Sequence, residues 1–169
     1  MKKIILFLIL IIFLSGCSVF DLNNFVLPND IEFIKTIETL DTPEKICNYM
    51  KDNFTYKPSV SYNLDPYQLW LTKKGDCNDF CSFAIFIANY HNYVTYQIHI
   101  YFKKTFIKHV LAVYLENNQY TYSNNKAYYP LYVSSFDEII SHYFNFPIEY
   151  ELDYYKVFDY NMNLIKEQI

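Results

Sequence analysis

Apolar and polar positions change their period near the middle of the chain. Between residues 29 and 90 the apolar side chains recur every three or four positions, which predicts helices. Asn29 or Asp30 caps a first helix running to about Leu40, with Ile31, Ile34 and Ile37 on one face. Asp41-Thr42-Pro43-Glu44 starts a second, with Thr42 as N-cap and Pro43 in the first helical position. Ile46, Cys47, Met50 and Phe54 form its apolar stripe. Residues 58 to 63 read as loop. Asp65-Pro66 opens a short third helix, and Lys73, Lys74 and Gly75 carry its stop signals. Cys77 to about Tyr90 is apolar nearly all round, as a central buried helix is.

From Val94 onward the pattern alternates by two. Val94–Phe102, Lys108–Glu116 and Gln119–Asn124 predict strands rich in β-branched and aromatic residues. Asn117-Asn118 predicts a tight turn, because Asn tolerates positive φ. Ser134 or Ser135 caps a helix to about Phe144, and Glu151–Asp159 is a last strand. Helices first and a mostly antiparallel sheet afterwards make an α+β fold of one domain.

The N-terminus has a separate pattern. Met1-Lys2-Lys3 is a short positive segment, Ile4 to Leu14 is wholly apolar, and Leu14-Ser15-Gly16-Cys17 follows. As a helix, the apolar run rises only about 16 Å, short of the ~30 Å hydrocarbon core. It therefore reads as an export signal and not as a membrane span. Small residues directly before a Cys resemble a bacterial lipobox, in which that Cys is acylated with chains such as palmitate. The expected organisation is a lipoprotein signal peptide over 1–16, a tether over 17–28 with Cys17 as the lipid attachment site, and a single domain over 29–169. The membrane is then a partner through the lipid anchor, and the protein is exported to the extracytoplasmic face.

Composition narrows the classes further. The 169 residues carry 14 Lys, no Arg and a net charge of -4, so no basic footprint for nucleic acid exists. Aromatics reach 21% with charged residues at 19%, which excludes a disordered chain.

Chemistry concentrates in Gly75-Asp76-Cys77-Asn78-Asp79-Phe80-Cys81. A Cys in the first helical turn faces unsatisfied N–H groups that favour thiolate and can hold an oxyanion. Beside a His, such a thiol falls from about 8.5 to roughly 3.5–7.5. His109 is the candidate base: it shares a strand face with Leu111, Val113 and Leu115, where a polar residue needs a reason. A hairpin centred on Asn117-Asn118 sets Leu111 opposite Asn124 and Val113 opposite Tyr122, so Asn124 lies diagonally beside His109. A one-residue slip brings Asn125 there instead.

These residues resemble the transglutaminase-like cysteine protease superfamily: Gly75-Asp76-Cys77-x-Asp79-Phe80 opening a helix, His109-Val110 opening a strand, and Tyr120-x-Tyr122-x-Asn124 on the next. The resemblance covers about residues 40 to 130. It implies a papain-like core, with a Cys-bearing helix packed on an antiparallel sheet. It further implies acyl transfer through a thioester on Cys77, with His109 as general base and acid and Asn124 orienting the imidazole. The family usually has Asp at that third position, so Asn keeps the orienting hydrogen bond without the charge. Gln68 and Trp70, just upstream, are oxyanion or substrate-wall candidates, with core or surface roles as the plainer reading.

The expected function is a lipid-anchored envelope thiol enzyme acting on peptide or side-chain amides, with hydrolysis favoured over crosslinking and no cofactor. The alternative is a catalytically inactive binding module of the same fold. Zinc at Cys77, Cys81 and His109 is a weaker option, because Cys-x₃-Cys lacks a second ligand pair. Asp79 reads as a dipole partner of its own helix. Once Cys17 is acylated three Cys remain, an odd number, so at least one thiol stays free or pairs between chains; a Cys47–Cys81 bridge stays open.

Overall fold

The structure, a computed structural model, describes residues 22–58 and 63–169. The signal segment 1–16 and the lipid attachment residue Cys17 lie outside the described residues. Five α-helices and two sheets follow in the order α1 (Ile31–Thr39), α2 (Pro43–Asn53), β1 (Thr55–Tyr56), α3 (Pro66–Thr72), β2 (Lys74–Gly75), α4 (Cys77–Tyr90), β3 (Val94–Phe102), β4 (Lys108–Glu116), β5 (Gln119–Asn124), β6 (Ala127–Val133), α5 (Phe136–Phe144), β7 (Leu152–Asp159) and β8 (Leu164–Gln168). The large sheet has six antiparallel strands in the order β6-β5-β4-β3-β7-β8. The fold is α+β.

Strand alternation sorts the core into two layers. Val110, Ala112 and Tyr114 of β4 pack with α4 and, beyond it, with Phe33, Ile37, Ile46, Met50 and Leu69 of the other N-terminal helices. Leu111 and Val113, one residue out of phase, pack with Ile98, Ile100, Tyr122, Val157 and the Phe136, Ile139, Ile140, Tyr143 stripe of α5. The sheet is thus covered by helices on both faces.

The helix starts are built by the expected caps. The Asp30 carboxylate accepts from the N–H of Glu32 and Phe33, Thr42 Oγ1 from Lys45, and Ser135 Oγ from Glu138. The β4–β5 hairpin turns through Asn117 and Asn118, at φ 53° and 62°, which is the type I′ geometry that matches strand twist. Leu111 faces Asn124 and Val113 faces Tyr122.

Several expectations are corrected. On α1 the buried residues are Phe33 and Ile37, while Ile31 is 64% exposed. Phe33 rotates the face inward because its ring packs on Tyr67 and Trp70, with centroids 5.1 and 5.4 Å away. Gly75 is not the stop of α3. Lys73 takes the left-handed position at φ 58°, and Gly75 pairs with Tyr56 in the small parallel sheet. The tether does not extend to residue 28: Leu22 is 4% exposed and joins the core, and Phe25 packs edge-on against Phe86. β6 and β8 are additional edge strands.

Candidate functional site

Cys77 is placed by three local devices. First, Thr55 N–H donates to the Lys73 carbonyl and Lys57 N–H to the Gly75 carbonyl, fixing the chain just before the helix. Second, Gly75 passes so close to α4 that a Cβ there would sit 2.7 Å from Asp79 Cβ, Asp79 Oδ2 and Leu69 Cδ1. Third, Asp76 and Asp79 form a reciprocal capping box. The Asp76 carboxylate accepts from the N–H groups of Asn78 and Asp79, and Asp79 Oδ2 accepts from Asp76 N–H at 2.9 Å. Asp79 Oδ1 also accepts from Leu64 N–H at 2.7 Å, pinning the preceding loop to the helix start. Asp79 is therefore a structural clamp as well as a dipole partner. Burial pushes its carboxyl up to about 6, against those backbone donors.

This cap changes the expected electrostatics. Two N–H groups of the first turn, those of Asn78 and Asp79, are taken by Asp76 and are not open to an oxyanion. The Asp76 and Asp79 carboxylates also offset the positive end of the helix dipole at Cys77.

His109 and Asn124 meet as the hairpin register requires. His109 Nε2 and Asn124 Oδ1 are 2.8 Å apart. An amide oxygen only accepts, so Nε2 carries the proton and Nδ1 keeps the lone pair. Asn125 instead occupies the β5–β6 turn at φ 53°, and its buried Oδ1 has no hydrogen-bond partner. Burial holds His109 below the ordinary histidine range, opposed by the Asn124 bond. The imidazole is therefore neutral at pH 7, a base and not a standing cation.

Topology puts Cys77 and His109 at the same end of the sheet. α4 ends beside the start of β3, so it runs antiparallel to β3, and β4 returns antiparallel to β3 as well. α4 and β4 thus run in the same direction. His109 belongs to the face of β4 that packs toward α5, whereas α4 covers the other face. Tyr143, at the end of α5, is near both. Its ring stacks on His109 with centroids 5.6 Å apart and planes at 17°. Burial pushes its phenol up to about 12, with the Cys77 sulfur near enough to add to the effect. Sequence reasoning missed Tyr143. The available signal was a hydroxyl closing the otherwise apolar stripe Phe136, Ile139, Ile140.

Of the two upstream candidates, Gln68 is engaged in a helix cap and Trp70 in an aromatic stack. Gln68 is exposed, and its Oε1 accepts from Asp65 N–H in the cap of α3. Trp70 packs on Phe33 and stacks on Tyr67, with Lys73 Nζ 4.3 Å above its ring. The Trp70 indole Nε1 is buried and has no hydrogen-bond partner. Cys47, Cys77 and Cys81 are buried and carry no disulfide, so Cys47 and Cys81 form no bridge. Burial pushes Cys47 up to about 12. Among the described residues no three of His, Cys, Asp and Glu converge, which leaves the zinc option without a ligand set. The remaining histidines pack: His91 Nε2 bonds the Ile37 carbonyl, His142 Nδ1 the Tyr122 hydroxyl, and His99 Nε2 the Gln97 amide oxygen.

Comparison with known proteins finds one feature, a prokaryotic membrane lipoprotein lipid attachment site over residues 1–18. The chain is an exported, lipid-anchored membrane lipoprotein. No curated protein matches it. Cys17 lies within the matched segment, five residues before Leu22, the first of the described residues.

Proposed function

We propose that this lipoprotein is a cell-envelope thiol enzyme of transglutaminase-like, papain-like architecture that hydrolyses peptide or side-chain amides through a thioester on Cys77. The observation that supports the reading is the 2.8 Å His109–Asn124 bond, which leaves Nδ1 of a neutral imidazole to act as a base, with Tyr143 stacked on His109 and in electrostatic reach of Cys77. In the first step the Cys77 thiol proton passes to His109 Nδ1 as Sγ bonds the amide carbon. The C–N bond then breaks, and the leaving nitrogen takes that proton. Water, deprotonated by His109, cleaves the thioester and releases the acid and the free thiol. Because burial disfavours imidazolium, base-assisted attack by the thiol is favoured over a standing thiolate–imidazolium pair.

A second reading, a binding module without activity, is supported by the two carboxylates capping α4 beside Cys77 and by Asn at the third position. Alkylation with iodoacetamide from pH 4 to 10, read at Cys47, Cys77 and Cys81 by peptide mass spectrometry, separates the two when combined with acylation by p-nitrophenyl acetate. An enzyme gives a Cys77 acyl adduct that turns over and is slowed at least tenfold by His109→Ala. A Cys77 that neither acylates nor depends on His109 leaves the binding module.

A further inference from the structure

The junction between lipid anchor and folded body carries an exposed apolar group of side chains. Leu22 and Phe25 are packed into the helical layer, and directly after them Val26 is 83%, Leu27 37% and Ile31 64% exposed. Three large apolar side chains are turned to solvent within six residues, between the packed Phe25 and the buried Phe33, and together they favour a covering surface. From Cys17 to Leu22 the chain advances five residues, so even fully extended it reaches no more than about 18 Å. The acyl chains on Cys17 are in the bilayer, so Leu22 is held within that distance of the lipid surface, with Val26 and Leu27 four and five residues further along the chain. Phe106 and Ile107, in the turn between β3 and β4, are also exposed at 97% and 46%, but nothing ties them to the anchor.

We infer that Val26, Leu27 and Ile31 seat on the outer surface of the anchoring membrane, so that the domain lies on the bilayer by its α1 side instead of swinging on a free tether. The contact is apolar. The nearby Glu32 and Lys35 pair with each other at 3.4 Å, and the Asp30 carboxylate caps α1 and accepts from the Tyr67 hydroxyl. The full sequence has net charge -4, and loss of 1–16 removes Lys2 and Lys3 and makes the lipidated chain more negative still, so attraction to anionic headgroups does not drive the contact. Burying α1 against lipid turns α5, on the opposite side of the sheet, toward the envelope space.

The test uses the full lipidated protein in vesicles, in a Cys77→Ser background. Val26→Cys, Ile31→Cys and, on exposed α5, Ser141→Cys each carry an environment-sensitive fluorophore, with labelling confirmed by mass spectrometry. Vesicles of phosphatidylcholine, with and without phosphatidylglycerol, contain lipids bearing a quencher in the upper acyl chain. Labels at 26 and 31 should be quenched at least threefold more than the label at 141, equally in both lipid mixtures. A Val26→Asp substitution should relieve quenching at 31 without changing the circular dichroism. Equal quenching at all three sites, or self-quenching that reports a second copy on the patch, overturns the inference. So does quenching that appears only with phosphatidylglycerol.

Discussion

Asn124→Asp tests how the third residue sets the charge of the site. In the wild type a neutral amide oxygen accepts from His109 Nε2 at 2.8 Å, and burial keeps the imidazole below its ordinary range. A carboxylate in the same place sits about 4 Å, centre to centre, from an imidazolium; at an effective dielectric of about 20 that attraction is about 4 kcal/mol. Asn124 and His109 are both half-buried, so solvent screens part of it, and His109 should rise by about 1 to 3 pH units. The sign is definite: a negative partner favours the protonated ring. If His109 reaches Cys77 as proposed, an imidazolium favours thiolate, so alkylation at pH 6 should quicken about tenfold, one pH unit of thiolate fraction. The assay pairs NMR titration of the His109 ring with iodoacetamide rates at pH 6 and pH 9. An unmoved or lowered His109 titration would refute the claim that this bond controls the base. A raised titration with unchanged alkylation would show that His109 does not reach Cys77.

Other perturbations probe the supports of the site. Tyr143→Ala strips the ring that covers His109, so the His109 titration should climb toward about 6.5 and stability should fall by about 3 kcal/mol in denaturant melts; Tyr143→Phe should keep both near wild type. Burial, helped by Lys108, holds His99 down at about 4, whereas unfolded His titrates near 6.5. The unfolded chain therefore binds the extra proton first, and stability is lost as pH falls from about 6.5 to about 4, by about 3 kcal/mol. His99→Leu should remove that loss, narrowing the gap to wild type at pH 4 relative to pH 7; a gap independent of pH counts against it. Gly75→Ala places a Cβ 2.7 Å from Asp79 and Leu69, and should cost about 1–3 kcal/mol in thermal or chemical unfolding.

The legible parts of the fold were those where one local rule had no competitor. β3 and β5 alternate polar and apolar residues, β4 is a continuous apolar run buried on both faces, and the Asn117-Asn118 turn fixes the β4–β5 register, so the His109–Asn124 meeting followed from sequence spacing. β6 was not legible, because Ala127-Tyr-Tyr-Pro-Leu-Tyr-Val carries aromatics on both faces and a Pro at its centre, which an edge strand tolerates and a central one does not. β8 is the other edge, and its Leu-Ile-Lys-Glu-Gln run shows little alternation in burial. On α1 two apolar faces compete, and the tertiary stack of Phe33 on Tyr67 and Trp70 decides between them.

The motif around Cys77 shows a deeper conflict between local rules. Gly75-Asp76-Cys77-x-Asp79 reads as a nucleophile at an electropositive helix end, yet the same spacing of Asp76 and Asp79 is a capping box. The N–H groups of Asn78 and Asp79 cannot both cap through Asp76 and hold an acyl oxygen. If acyl transfer runs at Cys77, support for the developing oxyanion therefore has to come from outside that pair. Tyr143 brings a hydroxyl that burial keeps protonated into the neighbourhood of Cys77, from a helix on the far side of the sheet. Loss of one oxyanion donor slows an enzyme by about 10²–10³. Tyr143→Phe separates the two roles, because it keeps the stack on His109 and removes only the hydroxyl. Acylation by p-nitrophenyl acetate passes through a tetrahedral oxyanion, whereas alkylation by iodoacetamide does not. A hydroxyl that supports the oxyanion makes Tyr143→Phe slow acylation and spare alkylation; equal rates in both assays confine Tyr143 to holding the imidazole.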